Sequence, residues 1–243
     1  MAGHSKWHNI QAHKGKQDKK RAATFTKLAR FITIAAQNGG DPDMNFSLRL
    51  AIDRARAANI PKDNIDRAVK KGTGELNDGV QLDELTYEGF GPGNVAILID
   101  VFTDNKNRSA GDVKSTAGKK GGTIGGPGSV QWQFDRRGVT RAEPEEMVKH
   151  NHERENIELE LIEAGAIDLT WDENGLEIIS NIEDLKKIAQ VLEKLKITAS
   201  ESGLEWIAKE KIEIDEETGE KLGNLIDALE EHDDVRAVYT NAK

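Results

Sequence analysis

The chain contains no cysteine, so disulfide staples and thiolate chemistry are excluded and a reducing compartment is favoured. No apolar run approaches the roughly 20 residues of a membrane-spanning helix. The most apolar stretch, Val95 to Phe102, is interrupted by Asp100 and reads as a buried strand. The start MAGHSKW lacks the apolar core of a secretory signal, and the basic stretch behind it is Lys-rich and Ser-poor, where transit peptides favour Arg and Ser. The expected location is the cytoplasm. Acid is also scarce at one end: up to Gly72 there are fifteen Lys and Arg against six Asp and no Glu, a net of +9, while the remainder carries −18. The whole chain is therefore acidic, at −9, with a cationic head. Such a head suits a polyanion, and the acidic body would repel one.

What is present is a polar, globular chain of 243 residues, 37% hydrophobic and 32% charged, long enough for two or three modest domains. Residues 1 to 23 show no helical apolar period and read as an arm that orders on binding. From Thr24, the positions Phe25, Leu28, Ala29, Ile32 and Ala36 predict a helix that stops at Asn38-Gly39-Gly40. Asp41 to Asp43 offer N-caps for a second helix with Leu48, Ala51, Ile52, Ala55 and Ala58 inward. Pro61 and Asp63 start a third, with Ile65, Ala68 and Val69 inward and Gly72 as its stop. After a linker at Gly72 to Gln81 the pattern becomes mixed. Strands are predicted at Asn94–Phe102, Ser129–Phe134, Ile167–Trp171, Leu176–Ser180, Ile197–Ser200, Trp206–Ile214 and Val235–Thr240. Helices are predicted at Ser109–Lys120, Pro144–Ala164, Ile182–Lys196 and Leu222–Glu231.

The expected fold class is α+β: a small N-terminal helical domain followed by two α/β, ferredoxin-like lobes. The expected domains are residues 1–76, residues 77–138 joined with 204–243, and an inserted domain at 139–203.

The candidate contacts are basic. Lys6, Lys14, Lys16, Lys19, Lys20, Arg21, Lys27 and Arg30 are spaced to track phosphates rather than to fill a pocket. His8 and His13 are further donors, and Arg54, Lys70 and Lys71 lie off the apolar stripes as an outer face. Trp7 either stacks on an exposed base or packs on the helical domain. His4, His8 and His13 have no Cys, Glu or Asp at ligand spacing, and His150 and His152 diverge on a helix, so no metal site is expected. The glycine-rich stretches Glu88 to Asn94 and Lys119 to Ser129 match no phosphate-cradling motif and read as turns. Asp104, Asn105 and Arg108, where a strand ends, cap a helix or meet a partner. No nucleophile is paired with a base, so neither catalysis nor a cofactor is expected.

Several ordered stretches carry a likeness: MAGHSKWHNI, KRAATFTKLARFITIAAQNGGDPDMN, LRLAIDRARAANIPKDNIDRAVKKGTGE, YEGFGPGNVAILIDVFTDNKNR and GGTIGGPGSVQWQFDRRG. Together they resemble the YebC-type family of bacterial regulators, whose mitochondrial relative is a translational activator of a cytochrome oxidase subunit. The likeness runs almost continuously from Met1 to Gly138 and is more diffuse afterwards. It departs from the common pattern at His8, where Ala is frequent, and in the basic run His13 to Lys20. The resemblance implies three domains around a central cleft and a cytosolic non-enzyme. Members are described as probable transcriptional regulators that bind DNA, some instead as ribosome-associated factors that help translation through proline-rich stretches. The expected partner is accordingly nucleic acid, either DNA or ribosomal RNA, with the ribosome or another protein at the acidic lobes and no membrane. A protein-binding adaptor whose basic end grips an acidic partner is the rival reading, and the oligomeric state is open.

Overall fold

The structure, a computed structural model, describes residues 17–76, 82–150, 154–173 and 175–243. The chain divides into two compact units. Among the described residues one holds 17–40, Ala51–Asp135 and Ile207–Lys243, and the other holds Asp41–Leu50 and Arg136–Trp206.

Three helices come first: α1 (Gln17–Ala36), α2 (Phe46–Ala57) and α3 (Lys62–Gly72). Helix α1 begins seven residues before the predicted start at Thr24. Apart from Asp18 in the first turn, its early residues are Gln, Lys, Arg and Ala, strong helix formers that need no apolar face. Only residues 1–16 of the predicted arm lie outside the described residues. Helix α2 is capped by Asn45, whose Oδ1 accepts from the Leu48 N–H at 3.0 Å, rather than by the Asp41 to Asp43 run. Asp41 instead closes a turn, its Oδ1 accepting from Asp43 N–H at 2.9 Å.

Helix α3 ends at Gly72 as predicted, and Gly72 is also the point where α3 crosses α1. A Cβ there would lie 2.1 Å from the Thr33 carbonyl oxygen and 2.6 Å from the Ala36 Cβ. Thr33 reinforces the crossing, its hydroxyl donating to the carbonyls of Ala29 and Ala68 at 3.0 and 3.2 Å. The left-handed residue that ends the turn is Gly74, at φ 78°.

The first sheet contains β1 (Asp83–Phe90), β2 (Ala96–Thr103), β3 (Thr123–Ile124) and β8 (Val235–Thr240) in the order β3-β1-β2-β8. β1 runs antiparallel to β2 with Leu85 opposite Val101 and Tyr87 opposite Ile99, and β2 runs antiparallel to β8. Helices α4 (Lys106–Lys119) and α8 (Glu216–Glu230) cover one face. Ile97, Ile99 and Val101 point into that core against Val113, Ala117, Leu222, Leu225 and Leu229. Each fully buried aliphatic chain of this kind contributes roughly 1.5–3 kcal/mol. On the other face Phe31 of α1 meets Phe102 edge-on, with centroids 5.7 Å apart. The buried Asp100 there accepts from the Thr86 hydroxyl at 2.7 Å and pairs with Arg236 at 3.5 Å. β1 is absent from the predicted strands because acids alternate with its apolar residues, and acids are poor strand formers.

The second sheet contains β4 (Phe134–Ala142), β5 (Ala166–Asp172), β6 (Gly175–Ser180) and β7 (Ala199–Ala208) in the order β5-β6-β4-β7. With α5 (Pro144–His150) and α6 (Arg154–Glu163) after β4 and α7 (Leu185–Lys194) before β7, the succession is that of a ferredoxin-like lobe. In the first sheet, by contrast, a hairpin joins the two central strands directly, so both the strand order and the threading differ.

Two strand boundaries differ from expectation. The predicted strand Ser129–Phe134 is a loop with a 3-10 turn at Gln131–Gln133, and the strand starts where it should have ended. The two strands predicted at Ile197–Ser200 and Trp206–Ile214 are one, β7, whose middle carries Glu201 and Glu205.

Candidate nucleic-acid interface

Of the sequence-predicted contacts, Lys6, Trp7, His8, His13, Lys14 and Lys16 lie outside the described residues, as do His4 and His152. Lys19, Lys20 and Arg21 fall in the first turns of α1, of which the backbone alone is described. A helical backbone therefore carries the inner end of the basic run.

Further along α1 the cations turn inward. The Lys27 ammonium donates to the carbonyl of Glu230, at the C-terminal end of α8, where the helix dipole favours positive charge. Burial pushes the pKa of this amine below the ordinary lysine range, against the opposing charges of Glu230 and Asp233. One turn later Arg30 reaches three acceptors through Nη1: the Asp234 carboxylate at 2.5 Å and the carbonyls of Asp233 and Phe102 at 2.7 and 3.2 Å. Asp234 also accepts from Thr103 Oγ1 at 3.1 Å, Ser109 Oγ at 2.9 Å and Arg108 Nη2 at 3.2 Å. Burial works against its ionisation, but the bonds from Arg30, Ser109 and Arg108 hold its carboxyl below the usual aspartate range. Lys27 and Arg30 thus anchor α1 to the first sheet.

Asp104, Asn105 and Arg108 belong to the same neighbourhood. Asn105 caps α4, accepting from the Arg108 N–H at 3.1 Å, and Arg108 bridges Asp104 and Asp234. A pocket of about 600 Å³ opens there, lined by Arg30, Asp104, Arg108, Glu231, Asp233 and Asp234 among others. Four carboxylates face two guanidiniums already engaged with them, which disfavours a phosphate.

Helix α3 supplies the rest of the basic face. Lys70 is exposed and Lys71 half-exposed in its last turn, where cations complement the dipole. Arg67 is exposed and Arg54 on α2 is half-buried. Asp63 and Asp66, also exposed, dilute the face at its start.

The second glycine-rich stretch does cradle an anion, and the anion is the protein's own. Glu88 on β1 accepts from the backbone N–H groups of Gly128, Val130 and Gln131 at 2.6, 2.8 and 2.7 Å. Burial would raise its pKa, but these amides outweigh it and keep the carboxylate charged below the usual glutamate range. Amides aimed at one carboxylate cannot serve a strand ladder, which is why this stretch is a loop. Val130 and Phe134 are buried beneath it, while Trp132, predicted to share their face, stands 68% exposed. Sequence reasoning missed Glu88 and Trp132. The available signal was the Gly126-Pro127-Gly128 run, too irregular for the strand read just after it.

In the other unit Arg141 donates to Glu177, Glu201 and Glu205, the last bidentate at 2.7 and 2.9 Å. Burial alone would lower its pKa, but Glu205 first, then Glu177 and Glu201, drive it well above the arginine norm. Every polar edge of this guanidinium is used within the protein. Among the described residues no cluster of His, Asp or Glu could hold a metal ion, and no helix is long and apolar enough to cross a membrane.

Comparison with known proteins covers almost the whole chain. The TACO1/YebC N-terminal domain matches residues 5–75, and the TACO1/YebC second and third domain matches residues 82–242. The chain belongs to the TACO1/YebC family. Among TACO1/YebC relatives, a probable transcriptional regulatory protein of Maridesulfovibrio salexigens is 47% identical over 242 residues, covering 100% of this chain and 95% of its own. Another so named, from Halothermothrix orenii, is 42% identical over 243 residues, covering 99% and 94%. The crystal structure of a conserved hypothetical protein from Aquifex aeolicus superposes with a TM-score of 0.84 at 38% identity, covering 98% of this chain and 97% of that one. The TACO1/YebC fold is α+β, helices with two four-stranded antiparallel sheets, as the sequence led one to expect.

Proposed function

We propose that this TACO1/YebC protein is a non-catalytic, cytoplasmic regulator of gene expression that grips DNA through its cationic N-terminal region. The carrying observation is the segregation of charge, +9 up to Gly72 against −18 beyond it. The relatives' names, probable transcriptional regulatory proteins, support the same reading. Lys6, Lys14, Lys16, Lys19, Lys20 and Arg21 meet successive phosphates, with Trp7, His8 and His13 beside them. Arg54, Lys70 and Lys71 extend the contact. Lys27 and Arg30 have partners inside the protein and set the direction of α1, so they contribute by orientation. The acidic body limits how far the nucleic acid can lie across the protein and leaves a surface for a protein partner.

Binding to structured RNA, including ribosomal RNA, is the second reading, favoured by the Lys-rich run with an aromatic in it. The test is a salt titration of affinity for duplex DNA and a structured RNA, repeated with Lys14, Lys16, Lys19, Lys20 and Arg21 changed to Glu. The expected result is a steep fall in affinity with salt and loss of binding in the variant. Undiminished binding by the variant would refute the reading. Crosslinking in cells and sequencing of the bound nucleic acid then decides between chromosome and ribosome.

A further inference from the structure

Trp132 is the conspicuous residue that neither the fold nor the proposed grip accounts for. Trp171 and Trp206 are each covered by a guanidinium, Arg154 at 4.8 Å and Arg136 at 4.9 Å. Among the described residues no such cation lies over Trp132, and its ring is 68% exposed. An exposed indole offers a large apolar ring face together with a polar N–H, which suits a partner that stacks on it.

The ring is also held still. The Glu88 carboxylate fixes the preceding loop through three backbone amides at 2.6 to 2.8 Å. The indole N–H donates to the Ser129 carbonyl at 3.3 Å, and the Trp132 carbonyl accepts from Lys209 Nζ at 2.9 Å. A ring fixed in advance loses little freedom when something stacks on it. The loop before the ring is uncrowded: a Cβ added at Gly126 or Gly128 would meet nothing within 4 Å. Lys209, exposed, also pairs with Asp135 at 3.6 Å, which fixes it beside the indole's own backbone.

We propose that Trp132 is a stacking platform for one unpaired nucleobase of the bound nucleic acid. This rests on the proposed function, since α1 with its basic turns belongs to the same compact unit as this loop. A base inside a duplex has both faces covered by its neighbours, so the platform selects single-stranded or looped segments. Every base has a π-face, so the contact is tolerant of sequence.

The test uses the full chain and three probes: a hairpin RNA with an unpaired loop, its DNA counterpart, and a fully paired duplex of matched length. Trp132→Ala is expected to weaken binding to the hairpins roughly tenfold and to the duplex less than about twofold, with Trp132→Phe restoring most of the loss. Equal losses on RNA and DNA hairpins mark a base contact; a loss confined to RNA makes RNA the ligand of the platform. Thermal unfolding of Trp132→Ala should match the parent, because the ring is exposed. If Trp132→Ala binds all probes like the parent while the Lys/Arg→Glu variant loses them, the platform is refuted and the cationic grip stands. An equal loss on hairpin and duplex also refutes it. If the parent binds none of the probes, both fall.

Discussion

Each sheet has four strands with helices over one face, yet the two hold charge on the other face in different ways. In the first, the buried Asp100 and the more exposed Glu84 share one base, Arg236, beside the ring pair Phe31 and Phe102. In the second, one base, Arg141, sits among three acids, Glu177, Glu201 and Glu205. The first face packs against α1. On the second, three acids converge on a single guanidinium and contribute to the acidity of the body. A cation shared by several acids leaves them facing one another when it is lost, at a cost that grows with the number and burial of those acids.

The sharpest way to break this contrast is Arg141→Met. It should cost about 3 kcal/mol in urea unfolding, because three partly buried carboxylates lose their counter-charge. Replacing Glu177 and Glu205 with Leu in the same chain should recover most of that loss. A single change costing less than about 1 kcal/mol would show that the guanidinium is not what organises this face.

The next effect is in acid and belongs to the first unit. Asp234 and Glu88 both have folded pKa values below their unfolded ones, for the reasons given above. Their contribution is therefore complete above the unfolded values near pH 4 and is lost as pH falls through the lower folded values. Asp234→Asn should flatten the decline of melting temperature over that range and loosen α1, seen as faster amide exchange around Thr33. An unchanged pH profile would separate Asp234 from the anchoring of α1. The smallest effect is local: Asn105→Ala removes the cap of α4 and should cost about 1 kcal/mol in thermal unfolding.

Legibility in the sequence followed the same divide. β2 and β8 were readable because their burial is nearly continuous, and the α3 and α7 stripes because one face alone is apolar. β7 was split in two because the acids that serve Arg141 occupy its middle. The Glu88 loop read as a strand because Val130, Trp132 and Phe134 alternate, and no local pattern announces a carboxylate 40 positions earlier collecting its amides. The candidate interface was legible as charge but not as geometry. Nothing local told Lys27 and Arg30, which face Glu230 and Asp234 some 200 positions away, from the other cations of the run.

The late position of β8 bears on how the protein is made. β2 emerges early, but the partner for its free edge is Val235–Thr240, synthesised after the whole of the unit between Arg136 and Trp206. During translation the interposed unit has all four of its strands by Ala208, while the first sheet still offers an unpaired, strongly apolar margin. The lobe that starts last thus finishes first. The interval before β8 arrives is when the nascent chain is most exposed to edge-to-edge association.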